Sequence, residues 1–324
     1  MKAQAFSAEA DYAQASMPLI EFTEWPWFDR QEADNPQAWG GFTEFRRQRL
    51  TRAYEWQRRY LFVKDADRQG PNYFLIADDL DGQAELAPQA NFWCLADSQQ
   101  ITGDLVRWRG QYSVDLDLYV AWPKKPQIGS REWWHTNRGP AGADFKGGRE
   151  YQIAAHVKNA PGNGGFTVVL YPRGRYEVQP TYTSSKDGKA ITVTIGARTD
   201  QLFCSRQPHK AKIGGVEFDG TVGLAKLHPD YTALVLCAPG AIAAKGFAIQ
   251  TEVPLSVRIT GDGLVGTATG KGAATLTAPK AWAGRTLTLN GKPAGAFDAE
   301  GRLVLSLPAG GGTLSIEAPA GRTK

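Results

Sequence analysis

Residues 130 to 140 read SREWWHTNRGP, which sets two adjacent tryptophans and one of only four histidines between two arginines. Trp133 and Trp134 offer flat apolar faces of the kind that stack on pyranose rings. Arg131, His135, Asn137 and Arg138 are groups suited to a carboxylate or sulfate, because a guanidinium meets a planar anion with two parallel hydrogen bonds. The same letters also describe a loop whose indoles simply pack, since indole burial dominates core energetics. Both readings stay open at this point. A second aromatic stretch, EFTEWPWFDRQEADNPQAWGGF, brings Trp25, Trp27, Phe28 and Trp39 into a segment too rich in proline and glycine for a regular core strand. It reads either as an exposed binding loop or as a long connection with its rings tucked inward.

Catalytic motifs are sparse. There is no GxSxG elbow, HExxH or Walker loop, so the familiar hydrolase, zincin and P-loop signatures are missing. His156 lies inside YQIAAHVKN and reads as a packed or hydrogen-bonded histidine at the edge of a core, while His209 and His228 lie in RQPHKAK and LHPDYT, which read as turns. Only His135 has donors and tryptophans for company, and it is the one candidate for a catalytic base. Cys94, Cys204 and Cys237 each sit in an apolar run without CxxC spacing and read as buried free thiols. No cofactor and no metal site is expected.

The 324 residues carry 37 basic and 33 acidic side chains, a net charge of +4, with no run of like charges that would mark a nucleic-acid arm. The slight excess favours a polyanionic partner such as an acidic polysaccharide over nucleic acid. No apolar run reaches the length of a membrane-spanning helix, and MKAQAFSAEADYAQ lacks the apolar core of a signal peptide, so no membrane partner is expected.

The elements that must position these residues read as strands. YLFVKD, NYFLIADD, SVDLDLYVAW, YQIAAHV, FTVVLYP, AITVTIG, TALVLCA, LSVRITG, RTLTLNG, RLVLSLP and TLSIEAP are short apolar or alternating runs bounded by turn residues, the pattern of an all-β protein. In SVDLDLYVAW the alternation places Val114, Leu116, Leu118 and Val120 on a core face and predicts that Asp115 and Asp117 face solvent. Near residue 252 the chain turns rich in Gly, Ala and Thr and retains only Trp282 and Phe297 of its large aromatic rings, whereas nine of ten tryptophans precede residue 135. We therefore expect a large antiparallel β-sandwich over 1–252 and a small β-domain over 253–324.

The run RRYLFVKDADRQGPNYFLIADDLDG, residues 58 to 82, resembles the heparinase II/III-like polysaccharide lyases, whose C-terminal β-sandwich carries an Arg-Arg…Phe-Val-Lys stretch, a turn, and Tyr-Phe…Asp-Asp. FSAEADYAQASMP looks like the preceding strand of that family and NFWCLADS like the following one. The resemblance implies a sandwich of heparinase II/III C-terminal type. It also implies secretion to the periplasm or cell exterior, and β-elimination of acidic, uronate-containing glycans in company with a helical (α/α) toroid. That toroid, in the same or a neighbouring polypeptide, is expected to supply the usual catalytic residues, so whether this chain is an enzyme by itself stays open. Arg131, Trp133, Trp134, His135, Asn137, Arg138, Trp25, Trp27 and Trp39 are the candidate glycan contacts. Where relatives place a zinc-binding histidine after Trp-x-Leu, this chain has Ala96 and Asp97, so no intact zinc site is expected. The rival reading is a stand-alone carbohydrate-binding or structural β-module without catalysis.

Overall fold

A computed structural model describes residues 3–24, 46–65, 67, 70–81, 88–135, 150–160, 164–261 and 263–316. Among them the regular structure is strand, apart from one 3-10 turn at Lys280–Trp282, which bears out the all-β expectation. The strands named above from the sequence all fall in strands of the fold.

Among the described residues the first sheet has ten strands: β1 (Ala3–Phe6), β2 (Ala10–Glu24), β3 (Arg46–Val63), β4 (Tyr73–Asp81), β5 (Gln89–Thr102), β6 (Leu105–Gly110), β7 (Val114–Trp122), β8 (Gln127–His135), β9 (Glu150–Lys158) and β10 (Phe166–Gly174). Their order is β1-β2-β3-β4-β10-β7-β6-β5-β9-β8, with every pairing antiparallel.

The second sheet has fourteen: β11 (Thr181–Ser184), β12 (Ala190–Ile195), β13 (Arg198–Ile213), β14 (Val216–Leu227), β15 (Thr232–Leu236), β16 (Gly240–Ala244), β17 (Phe247–Thr251), β18 (Leu255–Thr260), β19 (Gly263–Ala268), β20 (Gly272–Thr277), β21 (Thr286–Leu289), β22 (Lys292–Ala296), β23 (Arg302–Leu307) and β24 (Gly312–Ile316). Strand β14 is its branch point: one edge pairs with β13, and the other is shared between β16 and β15. Gly223 sits where the share changes hands, and a Cβ there would lie 2.6 Å from the Phe218 ring and 3.0 Å from the Val235 carbonyl. Strands on either side of residue 253 pair directly, β15 with β18 and β17 with β20, and one apolar cluster runs from Ala190 to Ile316.

Three apolar layers result. The middle one lies between the sheets and joins Leu61, Tyr73, Leu75, Val169 and Tyr171 to Ile191, Leu202, Val222, Leu224 and Val235. A second fills the inside of the second sheet, and a third lies within the curl of the first, around Trp108, Leu118, Val120, Ile153 and Val157. The Trp108 indole N–H donates to the Ile153 carbonyl at 2.9 Å, tying β6 to β9 across that curl. Strands with core on both sides read as nearly continuous apolar runs, as TALVL in β15 does.

The placement of Asp115 and Asp117 corrects the expectation of solvent-facing carboxylates. Asp117 has no solvent exposure and Asp115 is buried, because the polar side of β7 meets β11 of the second sheet. Tyr182 donates to Asp117 Oδ2 at 3.3 Å, its ring stacks on Tyr119, and Arg107 and Arg173 lie 3.5 and 3.7 Å from the Asp117 carboxylate. Burial raises the Asp117 pKa, and these partners only partly offset it. His209 likewise lies within β13 rather than in a turn, with its imidazole Nδ1 2.7 Å from Ser205 Oγ. The three cysteines are free, and burial pushes the Cys94 and Cys204 thiols up to about 11.

A row of polar side chains closes one end of the inter-sheet layer. Asp200, Lys226, Ala233 and Arg258 are register partners across β13, β14, β15 and β18. Glu9, in the turn between β1 and β2, accepts from Lys226 at 2.9 Å and from Arg258 at 2.6 Å. Lys226 also donates to the Lys64 carbonyl. Tyr73 of β4 donates to Asp200 at 2.6 Å, and His228 Nε2 lies 3.0 Å from its other oxygen. Burial by itself would raise the Glu9 pKa, but the hydrogen bonds and charges of Arg258 and Lys226 win and hold it below the ordinary carboxylate value. A carboxylate depressed in the folded state stabilises above its unfolded pKa of 4.5, and that contribution disappears as pH falls through the folded value. Glu9→Gln should therefore cost about 3–5 kcal/mol at neutral pH by leaving two buried cations uncompensated. Urea unfolding should show the gap between wild type and variant shrinking as pH falls from 4.5 toward the folded Glu9 pKa, and a pH-independent gap would contradict the assignment.

Candidate functional site

Strands β5, β9 and β8 form an arm at one edge of the first sheet, and its two faces have different duties. On the inner face Ala90, Phe92 and Cys94 of β5, Ile153, Ala155 and Val157 of β9, and Ile128 of β8 enter the third apolar layer. Alternation sends Gln89, Asn91 and Trp93 the other way. The register sets Asn91 opposite His156 and Gly129, and Trp93 opposite Ala154 and Arg131, so these residues share the outer face in adjacent rows.

The outer face is a connected polar cluster. His156 Nδ1 lies 2.6 Å from Asn91 Oδ1, and Gln89 Nε2 donates to the same oxygen at 2.7 Å. With a carbonyl oxygen as its closest partner, Nδ1 carries the hydrogen of the neutral ring, and Nε2 is left as a lone-pair acceptor. Burial lowers the His156 pKa, and the nearby charges of Arg131 and Lys158 lower it further, so the ring is neutral at neutral pH. The Trp93 indole meets the imidazole edge-on, with centroids 6.0 Å apart, and is 40% exposed. Ala154, between Trp93 and Arg131, is fully buried under its larger neighbours. One side of a three-stranded arm thus presents an exposed indole, two cations, two amides and a neutral imidazole. That combination suits an extended, hydroxyl-rich anion: the ring takes an apolar sugar face, the cations a carboxylate or sulfate, the amides hydroxyl groups.

Of the residues singled out from sequence, Arg131 belongs to this face. Trp133, Trp134 and His135 complete β8, with backbones opposite Gln152, Tyr151 and Glu150, while their side chains lie outside the described residues. Asn137, Arg138, Trp25, Trp27 and Trp39 also lie outside the described residues. The reading of SREWWH as loop is corrected: these residues are strand, since adjacent tryptophans favour a pleated surface and β9 supplies a partner for each. Sequence reasoning missed Gln89, Asn91, Trp93, His156 and Lys158 as site residues. The available signal was the alternation in QANFWC, with an amide, an amide and an indole at every second place.

Two other places invite comparison. His228 and Asp200 form a histidine–carboxylate pair, but both are buried in the seam between the sheets with Tyr73 as the third member, a structural setting. A groove of about 480 Å³ on the second sheet is lined by Asp219, Gln250, Glu252, Thr275 and Arg302, with no aromatic side chain among its lining residues. It lacks both a stacking platform and an excess of positive charge.

No protein-family model matches the sequence, and no curated protein matches it.

The electrostatics of the outer face is directly measurable. In an NMR titration the His156 imidazole should titrate below the ordinary histidine value of 6.5, and Arg131→Gln or Lys158→Gln should each move it upward. An unshifted titration, or one insensitive to both substitutions, would show that these cations do not act on the ring.

Proposed function

We propose that this protein binds an acidic polysaccharide on the outer face of β5, β9 and β8, as the β-sandwich portion of a heparinase II/III-like lyase. The observation that carries the reading is the gathering of Trp93, His156, Arg131 and Lys158 on one face whose opposite side is committed to the core. Further support comes from the hairpin that bears the family resemblance. Its Arg58 and Arg59 are held by the carboxylates of its Asp78 and Asp79, with Arg58 Nε and Nη2 donating to Asp78 at 2.6 and 2.7 Å and Arg59 Nη1 donating to Asp79 at 2.6 Å. The paired basic and acidic residues of that stretch are therefore partners in one fold element.

In this reading the sandwich supplies binding and charge, and a helical toroid packed against it completes the reaction. Removing the proton beside a uronate carboxylate builds enolate-like charge, which fixed cations such as Arg131 and Lys158 stabilise. In this reading the protein acts in the periplasm or outside the cell. A stand-alone carbohydrate-binding module is the second reading, favoured by the fact that the described face is assembled from a single three-stranded arm.

Heparin, alginate and a neutral glucan serve as probes. The chain should bind the two acidic polymers and not the glucan, and without a toroid it should release no unsaturated uronate detectable by ultraviolet absorbance. Trp93→Ala and Arg131→Ala should each weaken heparin binding by about 1–3 kcal/mol. Trp93→Ala should cost less stability than the roughly 3–5 kcal/mol expected for the core substitution Trp108→Ala. Protonation adds a cation to the face, so heparin affinity should rise as pH falls through the His156 pKa, and His156→Gln should flatten that rise. Equal affinity for all three polymers, or none for any, would overturn the reading.

A further inference from the structure

Beside one end of this face, two neighbouring turns carry exposed apolar side chains. The turn between β6 and β7 and the first residue of β7 expose Tyr112 (75%) and Val114 (52%), and the segment leaving β10 exposes Tyr176 (96%) and Val178 (62%). A lone exposed apolar residue is ordinary. Four of them on two turns fastened to each other are not, and the fastening is specific. The Arg175 backbone N–H donates to the Ser113 carbonyl at 3.0 Å, and its guanidinium donates to the Gly110 carbonyl and to Asp115 at 3.4 Å. Asp115 also accepts from the Gly110 backbone N–H at 3.2 Å, and Gly174 accepts from the Glu177 N–H at 3.0 Å. Gly110 permits this closeness, since a Cβ there would lie 1.8 Å from the Val114 carbonyl oxygen. The tyrosines thus stand on a braced base, and a ring on a rigid support contributes contact area at low cost in conformational entropy.

The position of the base ties it to the face already described. The Gln111 N–H donates to the Leu95 carbonyl at 3.3 Å, and Leu95 is two residues along β5 from Trp93, in the row that continues through Gln152 to Trp133. Moving along β5 from Asn91, the order is the His156 row, the Trp93 row and the Leu95 row, and the turn bearing Tyr112 lies beside that last row on the edge of β5 away from β9, with the Tyr176 segment next to it. Charge does not distinguish this end, where Arg175 is paired with Asp115 and Glu177 is exposed. What it offers is aromatic surface.

We propose that Tyr112 and Tyr176 form a second aromatic contact for the same polysaccharide chain, so that the binding site takes an extended polymer running along β5 and off its edge rather than one or two terminal sugars. This rests on the acidic-polysaccharide reading of the Trp93 face. The cationic rows supply the salt-dependent part of binding, and the tyrosine turns supply a stacking part that depends on chain length.

The test compares a heparin tetrasaccharide with a long-chain heparin fraction at low and raised salt, using wild type, Trp93→Ala, the double variant Tyr112→Ala/Tyr176→Ala and its conservative counterpart Tyr112→Phe/Tyr176→Phe. The double alanine variant should bind the long fraction about tenfold more weakly, the scale of losing two partly stacked rings, while binding the tetrasaccharide as before. That deficit should persist at raised salt, and the phenylalanine variant should behave like wild type. Trp93→Ala should weaken both ligands. The thermal midpoint of the double variant should stay at the wild-type value, because neither ring is in a core. If Trp93→Ala loses binding while the double alanine variant holds the long chain as tightly as wild type, or loses both ligands equally, the tyrosine contact is refuted and the Trp93 face stands. If no heparin fraction binds wild type, the polysaccharide reading fails and the extended site with it.

Discussion

Two acidic side chains without access to water, Glu9 and Asp200, govern how the sheets of this protein meet. Each belongs to one sheet and is satisfied by the other: Glu9 by Lys226 and Arg258, Asp200 by Tyr73. An apolar layer is indifferent to sliding by a residue or two, because leucine against valine is worth much the same wherever the two touch. A carboxylate stripped of water is not indifferent, since losing its partner leaves an uncompensated charge. The row therefore sets the register of one sheet on the other. The layer around Trp108 that backs β5, β9 and β8 is held separately, within the first sheet.

Strand positions were legible from sequence because alternation and turn residues act locally, and the segments from YLFVKD to TLSIEAP fall where that pattern places them. What covers each face was not legible. Asp115 and Asp117 alternate with leucine and valine just as solvent-facing residues do, and only the arrival of β11, some sixty residues later, makes that side an interior. The Arg-Arg and Asp-Asp pairs of the hairpin are a contrary case. Their spacing stood out, and the structure gives its cause: Arg58 and Asp78 are directly opposite across β3 and β4, so the carboxylate reaches the guanidinium with two hydrogen bonds.

The candidate site divides in the same manner. Arg131 was visible in its cluster with Trp133 and Trp134. His156 was not, since within YQIAAHVKN nothing separates a histidine that packs from one that faces outward. Its meaning depends on Asn91, 65 positions earlier, and on Gly129, which leaves room opposite the ring. Pairings at that distance are a property of topology. Here β5 joins β9 before it joins β6, an order that no local pattern encodes.

Strand β5 also has a bearing on how such a protein changes over time. Along QANFWC every second side chain is anchored in the interior, and those between are free of it. Residues at Gln89, Asn91 and Trp93 are thus open to replacement while Ala90, Phe92 and Cys94 hold the backbone in place. A lineage carrying this fold is able to change what this face presents through a few outward substitutions that leave the interior packing untouched. Divergence in recognition would then outpace divergence in architecture, and descendants of one ancestor would share their interiors long after their surfaces had ceased to look alike.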